Sequence, residues 1–255
     1  MAEPVEVIRS TALGAVPHGF LGRRGGVSTG VTAGLNVGLG SRDDDDAVMR
    51  NRALAAAAVL PGAELVTPYQ VHSPDAVIVR RAWTLADRPR ADAVVTDEPG
   101  LLLGIVTADC APVLLADLEA GVVATAHAGW RGAHDGVIAA TVAAMEQLGA
   151  VPARIRAAIG PCIAQASYEV DEAFRDRFGA DGEEFFVPGK PGHHHFDLEG
   201  YAASRLAASG VKSIDRLGLD TYSDPCRFFS YRRSVHSGEN TYGRQISLIG
   251  LPGSP

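Results

Sequence analysis

Short apolar runs bounded by polar residues dominate the middle of the chain. Two such runs, Leu101–Val106 and Pro112–Ala116, flank the polar stretch Thr107-Ala108-Asp109-Cys110, and a third, Gly121–Ala126, leads directly into His127. Runs of this length between Gly, Pro and acidic residues predict buried strands. We therefore expect Cys110 and His127 at adjacent strand edges, close together in space. A thiolate beside an imidazole suits either an activated nucleophile or a metal site.

Helical spacing and further strands alternate along the rest of the chain. Apolar residues from Val137 to Leu148 recur at helical spacing, and Gly149 closes this predicted helix. The other predicted helices are Ala47–Leu60, Tyr168–Phe178 with Ser167 as its N-cap, and Asp197–Ala208. The other predicted strands are Val5–Ile8, Ala15–Phe20, Leu65–Thr67, Ala76–Arg80, Ile155–Ile159, Ser213–Leu217 and Gln245–Ile249. Since some consecutive strands have no helix between them, we predict a single α/β domain over residues 1–255, with a mixed β-sheet core flanked by helices.

The acidic run Ser41–Asp46 has two interpretations. Its four adjacent carboxylates resemble a cation site, but they cannot all face one ion, and the spaced ligand pattern of a calcium loop is missing. The run directly precedes the predicted helix Ala47–Leu60. Because acidic residues stabilise a helix N-terminus as caps and through the helix dipole, capping is the favoured interpretation.

Composition excludes some classes of binding partner and indicates the cellular compartment. The chain is 46% hydrophobic, which suffices for a sizeable core, and its net charge of −7 without a long basic run disfavours nucleic acid and anionic membranes as partners. Cys110, Cys162 and Cys226 make an odd count without paired spacing, which favours a reducing compartment. With no signal-like N-terminus and no apolar run near the roughly 20 residues that span a bilayer, we expect a cytoplasmic protein.

Two further segments carry alternatives that the residues alone leave open. Gly22–Gly40 is rich in glycine, and is either a mobile loop or a substrate loop in which backbone N–H groups and Arg23 meet an anion. Phe228–Arg233 is either a strand with Phe inside and Arg outside, or a site of aromatic stacking and phosphate binding. The second alternative uses the bidentate fork that a guanidinium such as that of Arg232 offers to phosphate.

Of three aspartates near the predicted strand edges, one is also a candidate site residue. Asp109 is either a turn residue or a hydrogen-bond partner of a ligand or of a substrate hydroxyl, and ribose-like hydroxyls are well served by carboxylates. Asp92 and Asp97 flank Ala93–Thr96, and we interpret both as turn residues.

Four motifs carry a family resemblance. TADCAPVLLAD, AHAGWRG, AIGPCIAQASYEV and FFSYRR…GRQ occur in this order, and together they resemble the YfiH or laccase-domain family. Its members have been called multicopper polyphenol oxidase-like proteins and, more recently, purine nucleoside phosphorylases. The resemblance runs from about His18 to Leu251 and implies a YfiH-like fold, which is similar to the catalytic domains of cytotoxic necrotizing factor deamidases.

The resemblance also implies a set of site residues. The family carries a Gln-x-His motif where this chain has Gln70-Val71-His72, so His72 joins Cys110 and His127 as both metal ligand and catalytic residue. A His/Cys/His set leaves the fourth tetrahedral position open, which is typical of catalytic zinc, and these ligand types also accept copper. The expected substrate-binding residues are Arg23, Asn36, Asp109, Arg131, Arg232 and Arg244.

The activity that the resemblance implies is zinc-dependent phosphorolysis of the purine nucleosides adenosine, inosine and methylthioadenosine, with adenosine deamination as a side activity. Its partners are then a small purine nucleoside and phosphate. Two alternatives stay open. One is a copper-dependent, laccase-like polyphenol oxidase, although eight His with no H-x-H pattern outside the His193–His195 tract make multicopper chemistry hard to build. The other is a metal-free hydrolase that edits peptidoglycan precursors, with Cys110 as nucleophile and His127 as base.

Overall fold

The computed structural model describes residues 3–253, which form two large β-sheets, one small sheet and six α-helices. The strands are β1 (Val7–Ile8), β2 (His18–Leu21), β3 (Glu64–Val66), β4 (Ala76–Ile78), β5 (Ala93–Thr96), β6 (Leu101–Thr107), β7 (Ala111–Asp117), β8 (Val122–Ala128), β9 (Arg156–Ile159), β10 (Glu169–Asp171), β11 (Phe186–Pro188), β12 (His193–Phe196), β13 (Ser213–Arg216) and β14 (Gln245–Gly250). The helices are α1 (Asp45–Val59), α2 (Trp130–Asp135), α3 (Val137–Glu146), α4 (Glu172–Arg175), α5 (Leu198–Ala208) and α6 (Tyr231–His236).

Both large sheets mix parallel and antiparallel pairs. The five-stranded sheet has the order β1-β2-β14-β6-β3, in which only the β3–β6 pair is parallel among the described strands. The six-stranded sheet has the order β13-β9-β7-β8-β5-β4, with parallel pairs at its two ends and antiparallel pairs between them. The small sheet, β10-β12-β11, is antiparallel. The predicted α/β class with a mixed sheet is confirmed.

The two large sheets pack face to face between two layers of helix. The contact between them is a cluster to which Phe20 and Leu103 contribute from one sheet and Leu114 from the other. On the outer faces, α1 covers the five-stranded sheet, and α3 with α5 covers the six-stranded sheet. Strands β7 and β8 are therefore buried along their whole length, which explains why they read as continuous apolar runs in the sequence.

Every strand predicted from an apolar run is present, within a few residues, and the acidic run is a helix start. Asp44 is the N-cap of α1, and its carboxylate accepts a hydrogen bond from the backbone N–H of Ala47 at 2.7 Å. Asp45 and Asp46 lie in the first turn. The predicted capping role of this run is confirmed.

The helix predicted over Tyr168–Phe178 is wrong. Its first part is strand β10, which pairs with β12, and only Glu172–Arg175 is α-helical, with Asp171 rather than Ser167 as the N-cap. Ser167 instead donates a hydrogen bond to the Asp220 carboxylate at 2.6 Å. Pairing with a distant strand supplies backbone hydrogen bonds that local sequence does not reveal, and it overrides the helical pattern.

The alternative of a strand over Phe228–Arg233 is also wrong. Ser230 caps helix α6 by accepting a hydrogen bond from the backbone N–H of Arg233. Asp92 and Asp97 were interpreted from the sequence as turn residues, but strand β5, which lies between them and is entirely buried, was not predicted.

No helix within residues 3–253 has both the length and the apolar character needed to cross a membrane.

Gly160 generates a test of the contact between the two sheets. It follows β9 directly, and a Cβ added there would enter the space of the Phe20 ring. Phe20 is fully buried, so the ring has no room to retreat. We expect Gly160→Ala to lower the free energy of unfolding in urea by about 1–3 kcal/mol, the usual cost of overpacking a core. Gly253→Ala, whose new methyl would meet no atom closer than 3.8 Å, is the matched control. Equal stabilities of the two variants would contradict this packing.

Candidate metal centre and adjoining cavities

Two neighbouring strands bring Cys110 and His127 to one edge of the six-stranded sheet. Cys110 directly precedes β7, and His127 lies in β8, where it pairs with Pro112 across the ladder. His72 lies between β3 and β4 at the same edge. The predicted proximity of Cys110 and His127 is confirmed. His72, which was expected only from the family motif, lies beside them.

The three side chains have the spacing of a metal site. One ligand atom from each of His72, Cys110 and His127 can be chosen so that all three lie within 4.8 Å of one another. The Cys110 Sγ lies 4.0 Å from the His72 Nε2. Zinc bonds of about 2.0–2.3 Å would place tetrahedral donors roughly 3.3–3.8 Å apart, so the three donor atoms would have to draw together by up to about 1–1.5 Å to bind a zinc ion. A His/Cys/His donor set fits zinc or copper and not magnesium or calcium.

Electrostatics at this site favour the form of cysteine that binds metal. Burial by itself would raise the pKa of the Cys110 thiol, but the neighbouring His127 and His72 imidazoles outweigh burial and lower that pKa. Because the thiolate is both the metal ligand and the nucleophile, the site presents cysteine in its reactive form near neutral pH.

Asp92 fixes two of the three candidate ligands at once. One carboxylate oxygen lies 2.7 Å from the His127 Nδ1, which leaves the Nε2 of that ring for a metal. The other oxygen accepts the backbone N–H groups of Val71 and Ser73, at 3.0 and 2.7 Å, and so holds the backbone on both sides of His72. Burial raises the pKa of Asp92, but these hydrogen bonds and His127 lower it to about 2, so the group is a carboxylate. A carboxylate behind a ligating histidine sets its tautomer and orientation.

The backbone at this edge adopts conformations that side chains seldom take. His72 has φ of 60° and Asp109 has φ of 82°, both in the left-handed region. Such conformations cost of order 1–3 kcal/mol each and concentrate at functional sites. Gly129 completes the arrangement, because a Cβ added there would lie 2.9 Å from the Cys110 Sγ and 3.2 Å from the His72 Cδ2. The missing side chain at position 129 thus keeps space open at the ligand atoms.

Two cavities open on either side of the three ligands. The first, the aromatic cavity, has a volume of about 540 Å³, and its walls include Asp109, Trp130, Tyr168, Phe174, Tyr231 and Arg232. The second, the basic cavity, has a volume of about 310 Å³, and its walls include Arg52, Arg88, Thr107, Tyr242 and Arg244. His72 and Cys110 line both cavities, and His127 lines the basic one. The candidate metal centre therefore lies at the junction of the two.

The structure places two of the expected substrate residues at the aromatic cavity. Asp109 is buried and accepts hydrogen bonds from the Thr221 and Ser230 hydroxyls and from the backbone N–H of Arg232. Burial raises the pKa of this carboxyl, and the three donors counter that effect. Arg232 donates to the backbone carbonyl of Glu169 at 2.8 Å. Asp109 thus anchors the start of α6, which carries Arg232 on the cavity wall.

The other expected substrate residues divide between the basic cavity and places away from both. Arg244 lines the basic cavity. The Arg23 guanidinium donates to the backbone carbonyls of Ala33 and Pro225. The buried Asn36 side chain bonds Ser41, Asp43 and the backbone of Gly38 and Arg244. Arg131 is exposed and its guanidinium lies 5.1 Å from the centre of the Trp130 ring.

Sequence reasoning missed three residues at this site. Asp92 was interpreted as a turn residue, although its place beside the apolar run Ala93–Thr96 is the same signal that singled out His127. Arg52 lies within an Ala-rich helix and Arg88 in a loop, and neither position carries a signal that the two arginines meet in one cavity.

Comparisons with known proteins identify the family of this chain. The model of a family described as multi-copper polyphenol oxidoreductase laccase matches residues 17–252. The chain is 43% identical to a purine nucleoside phosphorylase of Deinococcus radiodurans over 243 residues, which cover 93% of this chain and 90% of that protein. It is 41% identical to a purine nucleoside phosphorylase of Streptomyces coelicolor, with 95% and 98% covered. The structure of the hypothetical protein YfiH of Bacillus licheniformis matches with a TM-score of 0.85 at 30% identity, over 98% of this chain and 97% of that one. The expected family is confirmed.

Gly129 allows a test of the metal site without removal of a ligand. Its φ of −65° suits alanine, so Gly129→Ala should retain the fold, while the new methyl displaces the Cys110 sulfur. We expect a clear loss of zinc affinity, measured by competition with a chromogenic chelator and by metal analysis after dialysis. Gly253→Ala serves as the control and should bind zinc as the unmodified protein does. Unchanged zinc affinity in Gly129→Ala would show that the metal does not bind between these three side chains.

Proposed function

This chain belongs to the multi-copper polyphenol oxidoreductase laccase family, and on that premise we propose that it is a zinc-dependent purine nucleoside phosphorylase. The observation that carries the proposal is the junction of the His72, Cys110 and His127 ligands with the aromatic cavity. Relatives named purine nucleoside phosphorylase, 43% and 41% identical over most of the chain, support an enzyme of this kind. The proposal takes adenosine, inosine and methylthioadenosine as its substrates.

The aromatic cavity suits a purine base. Its volume of about 540 Å³ lies in the range of roughly 300–1,000 Å³ that is usual for small-molecule sites. Trp130, Tyr168 and Phe174 offer aromatic rings on the cavity wall, and the Trp130 and Phe174 rings pack against each other with their centres 4.9 Å apart. Rings of this kind bind the flat face of a base whatever its ring substituents, which agrees with a site that accepts several purines.

The proposed reaction joins phosphate to the sugar and releases the base. A bond forms between a phosphate oxygen and C1′ of the ribose while the C1′–N9 bond breaks. The electron pair of that bond goes to the base, which takes up a proton that the phosphate loses. A zinc ion held by His72, Cys110 and His127 would supply a Lewis acid with one open coordination position. The side chains of the cavity bind and orient the nucleoside, and Asp109 holds α6 against it.

Adenosine deamination belongs to the proposal as a side activity. It needs water in place of phosphate, at a ring carbon rather than at C1′, so ammonia release without phosphate distinguishes it from phosphorolysis.

The need for a reduced thiolate at Cys110 favours a reducing compartment, and we propose a cytoplasmic location on that ground. We further propose that residues 1–255 act as one domain, since both cavities draw residues from both halves of the chain.

A copper-dependent polyphenol oxidase is a second candidate because of the family's description. A multicopper enzyme needs several metal sites, whereas within residues 3–253 His72, Cys110 and His127 are the one cluster of such ligands with metal-binding spacing. A Cys110/His127 hydrolase is a third candidate. Chelators would leave that enzyme active and alkylation of Cys110 would inactivate it, while bound zinc would protect the thiolate of a metalloenzyme.

Zinc-loaded protein with inosine and phosphate tests the proposal. We expect hypoxanthine and pentose 1-phosphate in equal amounts, dependent on phosphate and abolished by chelators. Base release that ignores phosphate would contradict phosphorolysis, and oxygen uptake with phenols by the copper-loaded protein would favour the oxidase. Within this assay we expect Tyr231→Ala to raise the KM for inosine, because base stacking on one aromatic ring contributes about 1–3 kcal/mol.

Val235→Ala is the matched control for Tyr231→Ala. Both residues lie on α6 and are about equally exposed, at 52% and 54%, but only Tyr231 lines the aromatic cavity. The control should leave the KM for inosine unchanged. Equal kinetics of the two variants would place the nucleoside elsewhere.

A further inference from the structure

The basic cavity has no role in the binding of the nucleoside described above. Resting on the proposed phosphorolysis, we propose that it is the subsite for inorganic phosphate, held by Arg52, Arg88 and Arg244. The family resemblance suggested Arg244 as one of several candidate arginines, whereas Arg52 and Arg88 come from the structure alone.

The wall of this cavity carries an excess of positive charge. Three guanidinium groups line it, and no carboxylate is among the residues of its wall. Among the side chains that the structure describes within residues 3–253, none of the ion pairs includes Arg52, Arg88 or Arg244. Buried charges in proteins are normally paired, because desolvation of an unpaired ion is expensive. A bound dianion would supply the missing counter-charge.

Arg52 shows the lack of a negatively charged partner most clearly. It lies on α1 and is only 4% exposed, and its hydrogen bonds go to neutral groups, the Val37 carbonyl and the Thr67 hydroxyl. Burial, together with the nearby positive charge of Arg88, lowers its pKa to about 10. It therefore stays a cation at neutral pH without a negatively charged partner among the described residues.

Two buried polar atoms on the same wall lack any hydrogen-bond partner among the described residues. They are the Arg244 Nη1 and the Thr107 Oγ1. The Arg244 guanidinium is held in place by Tyr242, whose ring centre lies 4.5 Å away and whose hydroxyl accepts a hydrogen bond from Nη2. Because buried polar groups are nearly always hydrogen-bonded, a free donor and a hydroxyl on one cavity wall indicate a ligand with several acceptor oxygens.

Arg88 closes the cavity from the loop side. Its Nε donates to the Leu85 carbonyl at 2.8 Å, and its guanidinium lies 5.5 Å from the centre of the Tyr69 ring. Its two Nη nitrogens form no hydrogen bond with the described part of the chain, so the face that binds phosphate in a bidentate manner is available.

The position of the cavity fits the reaction. His72 and Cys110 line both cavities, so phosphate in the basic cavity and nucleoside in the aromatic one would meet across the candidate metal centre. Phosphate held there can present one oxygen to C1′ while its other oxygens face the arginines. The three cations also stabilise the negative charge that remains on the phosphate as it adds to the sugar.

Direct binding of inorganic phosphate to the zinc-loaded protein tests this subsite independently of turnover. We expect Arg88→Gln and Arg244→Gln, each loaded with as much zinc as the unmodified protein, to weaken the calorimetric Kd for phosphate by roughly ten- to a hundredfold, the factor of a lost charge-assisted hydrogen bond. The KM for phosphate should rise in parallel, while the KM for inosine stays unchanged. Thr107→Val, which keeps the shape of the buried side chain, should weaken phosphate binding to a smaller extent.

Arg90→Gln is the matched control. Arg90 lies on the same loop as Arg88 and its guanidinium is 5.7 Å from the same Tyr69 ring, but it does not line the cavity. The same change of charge there should leave the affinity for phosphate unchanged.

The outcomes separate the subsite from the reaction. Phosphate binding that depends on Arg88 and Arg244, without phosphorolysis of any purine nucleoside, supports the subsite and contradicts the proposed function. Phosphorolysis with the same phosphate affinity in all variants, Arg90→Gln included, overturns the subsite and leaves the proposed function standing. No phosphate binding by the unmodified, zinc-loaded protein overturns the subsite as well. Circular dichroism and zinc content identify any variant that has lost its fold, in which case Arg244→Lys, which keeps the charge and loses the fork, replaces it.

Discussion

The carboxylate of Asp92 connects parts of the molecule that the chain itself keeps apart. It bonds the His127 ring on β8 and the backbone on both sides of His72, and it stands at the start of β5, in the six-stranded sheet. The loop that carries His72 is thereby tied to the same rigid sheet that carries Cys110 and His127. Without this contact, the positive φ of His72 would be an unsupported strain. The geometry of the candidate metal centre follows from this buried hydrogen-bond network more than from the ligands themselves.

Around that centre the structure separates two kinds of chemistry. On one side lie aromatic rings together with three carboxylates and one guanidinium, and on the other lie three guanidinium groups without a carboxylate on the cavity wall. A neutral heterocycle and a tetrahedral dianion make opposite demands on their surroundings, since stacking needs a dry apolar wall and phosphate needs cationic donors. The two cavities share only a short stretch of wall, which includes His72 and Cys110, so two ligands would meet at the metal and nowhere else.

Much of this arrangement was predictable because it depends on short-range pattern. Cys110 and His127 flank a single antiparallel pair, so two apolar runs and a short connection sufficed to place them together. His72 lies in a loop without periodicity and was found only through the family motif. Arg52, Arg88 and Asp92 meet the site through tertiary contacts between a helix, a loop and a strand edge, which no local pattern encodes. The same limit explains the error at Tyr168–Phe178, where β10 exists because a strand some twenty residues later pairs with it.

X-ray absorption at the zinc edge of the protein loaded with one zinc per chain tests the central claim most directly. The account predicts a first shell with one sulfur at about 2.3 Å and two imidazole nitrogens at about 2.0–2.1 Å, completed by one light atom. A shell without sulfur, or one made of oxygen ligands alone, would contradict it, because the metal would then lie outside the junction formed by His72, Cys110 and His127.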